Sequence, residues 1–316
     1  MRRTAKRPKI KTLTEYCEAD YILFRDLKPN SIDNLRHTLR QFVKWLGRDP
    51  RLDELNDELL SRWVVHLQAT LAPKTAHGRR GDILGLWRDA FETDKTGKIQ
   101  MPKRIRRVRV PDPEPESWTA EEVAKLIAAA RSIEGFFRPE YRKWEIIERA
   151  TYLEAIIRAA WETGLRRGDL LSLRWEQIGK DGTVAKSQVK TGILHAGQLS
   201  PETMALMTKL NRNPPLQWPD APAPRSRGGR SAWGLGYWLA RIRDLAGLGK
   251  RGALQKIRRS AATDVAIHQP GMETRFLGHT NPKADRFYID KKRLPHAAVS
   301  PQALNVEALE AKGGAA

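Results

Sequence analysis

The sequence predicts a mainly α protein of two domains: a helical bundle first, then a larger mixed α/β domain with a small β-sheet. Three observations carry this. Apolar residues recur at helical spacing through much of residues 12–92. Residues 99–117, IQMPKRIRRVRVPDPEPES, break that pattern with a Lys/Arg run and then alternating Pro and acid. Residues 182–199, with Asp181-Gly182 at the front and Thr191-Gly192 inside, read as two or three short strands. A chain of 316 residues also fits two domains, at about 100–200 residues each.

Taken in order, residues 1–11 form a basic tail, and the first domain spans 12–98. Its opening helix lies around Tyr16–Leu23. In SIDNLRHTLRQFVKWL, Leu35, Leu39, Phe42, Val43 and Leu46 line one helical face, and Gly47 and Pro50 end the helix. A shorter helix follows from about Asn56 to Gln68. Pro73 starts the next, which carries Ile83, Leu84, Trp87 and Phe91. Four helices suffice for a small bundle. The segment 99–117 is a linker, and the second domain spans 118–292. It starts where Thr119 and Glu122 have the spacing of a capping box. A long helix ends at Gly164, residues 213–229 form a Pro/Gly/Arg-rich loop, and helices are expected at about 231–246, 253–268 and 281–290. The tail 293–316 is either a frayed end or an element that docks on a neighbouring protomer.

Charge narrows the class of partner. With 57 Lys+Arg against 37 Asp+Glu, the formal net charge is +20. Residues 1–110 hold 25 basic and 14 acidic groups, so the excess is not confined to one tail. Residues 221–260 hold ten Lys/Arg and a single acid, Asp244. Such a balance points to a polyanion, DNA or RNA. An anionic membrane would call for a basic amphipathic helix with an aromatic apolar face, and no convincing one occurs. No apolar run approaches the roughly 20 residues of a membrane span, and the N-terminus lacks the apolar core of a secretory signal. Cys17 stands alone, which excludes an intramolecular disulfide and a cysteine-based zinc site. The expected location is cytoplasmic, with the nucleoid.

Candidate chemistry sits in four motifs. In TGLRRGDLLSLRW, Arg166 follows a helix break with Asp169 three residues on, so the carboxylate could fix the guanidinium for bidentate phosphate binding. VKTG places Lys190 between the expected strands. In QKIRRS, Arg258 borders the apolar stripe of Leu254, Ile257, Ala261 and Val265, whereas Arg259 is turned about 100° away. LGHTNPKADRFY gives His279 and Tyr288. Each has a plainer reading as a solvated Arg, a structural His or a half-buried Tyr, and spacing alone does not select these two from seven His and six Tyr.

Together, in this order and with gaps of 24, 68, 21 and 9 residues between Arg166, Lys190, Arg258, His279 and Tyr288, the motifs resemble the tyrosine recombinase (phage integrase) family. The resemblance covers about residues 12–292. It implies that the helical bundle is a core-binding DNA domain and that the second domain is a catalytic domain of tyrosine-recombinase type. It implies further that Tyr288 is the nucleophile, that Arg166 and Arg258 clamp the scissile phosphate, and that Lys190 is the general acid. By the same resemblance His279 is an active-site histidine and Asp169 supports the first arginine. The family usually has His three residues before its second arginine, and Gln255 stands there. Glutamine can donate a hydrogen bond to phosphate but cannot carry a proton or a positive charge.

The implied activity is site-specific cutting and rejoining of double-stranded DNA through a 3′-phosphotyrosyl ester, by a homotetramer on paired sites. Accessory DNA-bending proteins are further candidate partners. Neither a cofactor nor a metal is implied. The linker arginines Arg104, Arg106, Arg107 and Arg109, with Arg259, are candidate DNA contacts, a solvated charge run being the competing reading. Two alternatives stay open: a non-catalytic DNA-binding regulator derived from the same fold, which Gln255 favours, and a type IB topoisomerase-like enzyme.

Overall fold

The computed structural model describes residues 10–138, 145–219, 230–249, 252 and 254–294. The expectations for the basic tail, for most of the Pro/Gly/Arg-rich loop and for the C-terminal tail lie outside these residues. The chain divides into two compact units, residues 1–112 and 113–316.

The first unit is a helical bundle. Thr12 and Glu15 close a capping box on α1 (Leu13–Tyr16), which runs on into a wider turn at Cys17–Tyr21. Helix α2 (Pro29–Leu46) stops at Gly47, whose φ of +78° is open to glycine without strain. Asn56 caps α3 (Asp57–Thr70), and Pro73 begins α4 (Pro73–Thr93). Leu39, Phe42, Trp63, Leu67, Ile83 and Trp87 fill the core, with the Phe42 and Trp63 rings edge to face at 4.8 Å. Polar ties fix the packing. Thr38 Oγ1 donates to Asp82 at 2.7 Å, and the Tyr16 hydroxyl donates to Asp89 at 2.6 Å. Cys17 is buried, and desolvation pushes its thiol up to about 12.

The basic segment forms no helix or strand, and its first part is held against this unit. Ile99 and Val108 are buried there. The Asp57 carboxylate accepts the N–H groups of Lys103 and Arg104 at 3.0 and 2.8 Å, and Ser61 Oγ accepts that of Arg106 at 3.1 Å. Backbone anchoring of this kind leaves the side chains of Arg104, Arg106, Arg107 and Arg109 exposed along the strip.

In the second unit the Thr119–Glu122 capping box starts α5 (Ala120–Arg131). Strands β1 (Phe136–Phe137) and β2 (Ile147–Glu148) pair antiparallel and lead into α6 (Arg149–Thr163), which is buried on most of its circumference. The long helix expected to end at Gly164 does end there, but α5 and α6 are separate helices. After α7 (Arg167–Leu171), β3 (Thr183–Ser187) and β4 (Leu194–Gln198) form an antiparallel hairpin in the register Thr183↔Gln198 to Ser187↔Leu194. The remaining helices are α8 (Pro201–Lys209), α9 (Arg230–Leu245), α10 (Leu254–His268) and α11 (Glu273–Leu277). The helix expected at 281–290 is a tighter 3₁₀ turn, Pro282–Phe287, capped by the Asn281 side chain. Among the described residues the β-structure is two separate two-stranded pieces. Among the described residues no helix is long and apolar enough to cross a membrane.

Candidate active site

The site is built where α6 stops. Gly164 has a φ of +59°, and a Cβ there would lie 2.5 Å from the Phe276 ring, so the chain turns at this point only with glycine. The turn delivers Arg166 to the N-cap of α7 and aims the Gly164 carbonyl at Arg258. Arg258, on α10, is fully buried. Its Nη1 donates to the Gly164 carbonyl, and its Nη2 donates to the Leu277 carbonyl at 2.9 Å and lies 3.4 Å from His279 Nε2. Burial lowers its pKa to about 10, which still leaves the guanidinium charged at neutral pH.

Tyr288 follows the 3₁₀ turn, and its N–H donates to the Asp285 carbonyl at 2.7 Å. Its ring lies 5.0 Å from the Arg258 guanidinium carbon and 4.9 Å, centre to centre, from the His279 ring. The Arg258 and Arg166 guanidiniums and the Gln255 amide act on the Tyr288 hydroxyl electrostatically. Burial alone would raise its pKa. The charges of Arg258 and Arg166, aided by the Gln255 amide, outweigh burial and leave the phenol below its ordinary value. After Tyr288 the chain is fixed again: Asp290 N–H donates to Thr263 Oγ1 at 3.0 Å, and its carboxylate accepts the N–H and hydroxyl of Ser117.

His279, in direct ring contact with Tyr288, is held by a second carboxylate. Its Nδ1 lies 2.6 Å from Asp285 Oδ1, and Thr274 Oγ1 donates to the other oxygen of that carboxylate. Burial lowers the imidazole pKa, Asp285 opposes the shift, and Arg258 and Arg166 reinforce it. The neutral ring therefore donates Nδ1–H to Asp285 and leaves Nε2 as an acceptor.

Arg166, Arg258, Gln255, His279 and Tyr288 thus meet at one place. Lys190 lies on the exposed turn between β3 and β4. The hairpin's other lysine, Lys186, is buried on Ser172 O and Gln177 Oε1 at 3.0 and 3.1 Å, so it is held within the fold. Asp169 was expected beside Arg166, but the structure gives its Oδ1 to the N–H of Val189 at 2.8 Å, because the first turn of α7 faces the hairpin. Among the described residues no Asp169–Arg166 ion pair is present. Arg166 Nη1 donates instead to Gln188 Oε1. Arg259 is half-buried on α10. Gln188, Asp285 and Thr274 are site residues that the motifs did not single out.

Arg166 and Gln255 also line a cleft of about 390 Å³ with Leu235, Leu239 and Leu254. A larger cleft, of about 730 Å³, belongs to the first unit and holds none of the candidate residues. Convergent cations around an acidified phenol, beside an open cleft, suit attack on a phosphodiester more than small-molecule binding.

No family model matches this sequence, and no curated protein matches it significantly. Solved structures do. A lambda integrase dimer bound to a COC′ core site superposes with a TM-score of 0.65 at 18% identity, over 90% of this chain and 97% of that one. XerH site-specific recombinase on its palindromic difH substrate gives 0.64 at 17%, over 90% and 83%. The Tn1549 transposon integrase with circular intermediate DNA gives 0.59 at 12%, over 95% and 99%. The chain therefore has the fold of lambda integrase and XerH recombinase, the tyrosine-recombinase architecture that its motifs resemble.

Proposed function

We propose that this protein cuts and rejoins double-stranded DNA at specific sites through a covalent bond to Tyr288. The observation that carries the reading is the meeting of Arg258 and His279 on the Tyr288 ring, at 5.0 and 4.9 Å, beside the cleft that Arg166 and Gln255 line. Charge develops on the non-bridging oxygens as the Tyr288 oxygen attacks phosphorus. Two fixed guanidiniums stabilise that charge with little reorganisation. The bond from Tyr288 to phosphorus forms as the bond to the 5′-oxygen breaks, and Lys190 supplies the proton to the departing oxygen. Reversal on a new 5′-hydroxyl rejoins the strand and releases the tyrosine. Because the ester retains the bond energy, no nucleotide need be consumed.

Neutral His279, held by Asp285, offers Nε2 to the phenolic proton or, once protonated, to a phosphate oxygen. Gln255 donates to the hydroxyl or to phosphate. Arg104, Arg106, Arg107, Arg109 and Arg259 contact backbone phosphates in this reading. A lambda integrase tetramer has been solved on a Holliday junction, and a tetramer on paired sites is the assembly proposed here.

A nicked DNA suicide substrate tests the proposal on a denaturing gel. The wild type is expected to give a covalent band that Tyr288→Phe abolishes and Gln255→His leaves intact or strengthens. Tight binding without a band in any variant would overturn it in favour of a DNA-binding regulator. Relaxation of supercoiled DNA by a monomer, without paired sites, would favour topoisomerase action.

A further inference from the structure

Gln188 is 1% exposed, and every polar atom of its side chain is engaged. Its Oε1 accepts from Arg166 Nη1 and, at 3.1 Å, from Thr191 Oγ1. Its Nε2 faces the carbonyls of Leu277 and Gly278 at 3.3 and 3.4 Å. Its own N–H and carbonyl close the hairpin turn, on Ile193 and from Gly192, at 2.9 and 2.8 Å. One side chain thus joins the break after α6, the turn that carries Lys190, and the loop that carries His279.

The surroundings are shaped around it. Gly278 has a φ of +59°, and a Cβ there would lie 2.5 Å from Gln188 Nε2 and 2.8 Å from His195 Nδ1. Any other residue at 278 would expel the amide. The chemistry of an amide also fits both ends. A carboxylate would accept from Arg166 but would turn a negative oxygen onto two carbonyls, and an apolar side chain would leave the guanidinium unheld. The neighbouring carboxylate, Asp169, is committed to the Val189 N–H. The charged group therefore steadies the turn, and the neutral group steadies the arginine.

We infer that Gln188 is the positioning residue for Arg166: it fixes the guanidinium by hydrogen bonding without cancelling its charge, so that the whole charge faces Tyr288 and the scissile phosphate. This rests on the function proposed above. Displacing a clamp by about an ångström can cost on the order of 10²-fold in rate.

The test uses the full chain and the nicked substrate under single turnover at saturating DNA. Gln188→Leu is expected to form the Tyr288 adduct about 10²-fold more slowly. A substrate with bridging sulfur at the 5′ position, whose thiolate leaves without a proton, is expected to restore Lys190→Ala but not Gln188→Leu. A wild-type rate in Gln188→Leu, or full restoration by sulfur, would overturn the inference, the latter by assigning Gln188 to the Lys190 turn alone. A second measurement needs no cleavage, which separates this inference from the proposed activity. The ultraviolet titration of Tyr288, taken as the difference from Tyr288→Phe, is expected to move to higher pH in Gln188→Glu, where a carboxylate cancels the Arg166 charge. An unmoved titration would overturn the inference even if wild type forms no adduct.

Discussion

At Tyr288 two opposing influences meet on one hydroxyl. Desolvation favours the neutral phenol, and two guanidiniums with the Gln255 amide favour the charged form, so that the pKa lies below its ordinary value. The same opposition acts at His279, where burial wins and Asp285 limits the loss. Replacing Asp285 by Asn removes the negative charge and the strong acceptor, so the His279 titration, followed by imidazole NMR, is expected to move to lower pH. A midpoint that stays in place or rises would contradict the dyad. Arg166, Arg258, His279 and Tyr288 were legible only through the resemblance, because the order and gaps of their motifs are those of a known family. Gln188 and Asp285 were not legible as partners. The Gln188 bond to Gly278 spans 90 residues of sequence, and Asp285 lies within a stretch expected only to be helical.

At the level of elements, α6 is the post on which the second unit is hung. Arg131 of α5 meets Glu154 of α6 with two hydrogen bonds, at 2.8 and 2.7 Å, and Arg158 adds a third at 2.8 Å. Burial disfavours the Glu154 carboxylate, but the two arginines more than compensate, and its pKa lies below the ordinary value. Glu154→Gln is expected to destabilise the protein by about 1–3 kcal/mol, toward the lower end because Arg131 is 58% exposed and screened by solvent. Urea unfolding measures this, and a midpoint equal to wild type would refute it. Elements of this length, with caps and a period, were legible: α2, α3 and α4 lie close to where Gly47, Asn56 and Pro73 put them. The pairing of β1 with β2 and the five-residue α11 were not, because two to five residues are too few to display a period. Helix α8 carries a signal in the sequence as well, since Ser200-Pro201 is an N-cap followed by a proline at the first helical position.

For the whole molecule, charge and buried histidines set the response to solution conditions. The +20 charge predicts DNA binding driven by counterion release. With 6–10 phosphates contacted, affinity is expected to fall by about 10³–10⁵ between 50 and 200 mM salt. A flat titration by fluorescence anisotropy would remove the electrostatic account. His195 is 1% exposed on the Thr163 carbonyl, and burial lowers its pKa, as it does that of His279. Below the free imidazole value of 6.5 the unfolded chain then binds more protons than the folded one. Stability is therefore fully present above that pH and is lost as the pH falls through and below it. Urea midpoints from pH 7 to 5 check the sign, and a midpoint that rises on acidification would contradict it.

The central claim is that Tyr288 becomes covalently joined to DNA, and peptide mapping of the trapped complex tests it most directly. Trypsin cuts after Arg286 and Lys291, so Tyr288 lies in the peptide Phe287–Lys291 as its sole tyrosine. The account predicts that, after nuclease trimming, this peptide carries a nucleotide on Tyr288. Nucleotide found on another residue, or complexes bound tightly with every tyrosine unmodified, would contradict it.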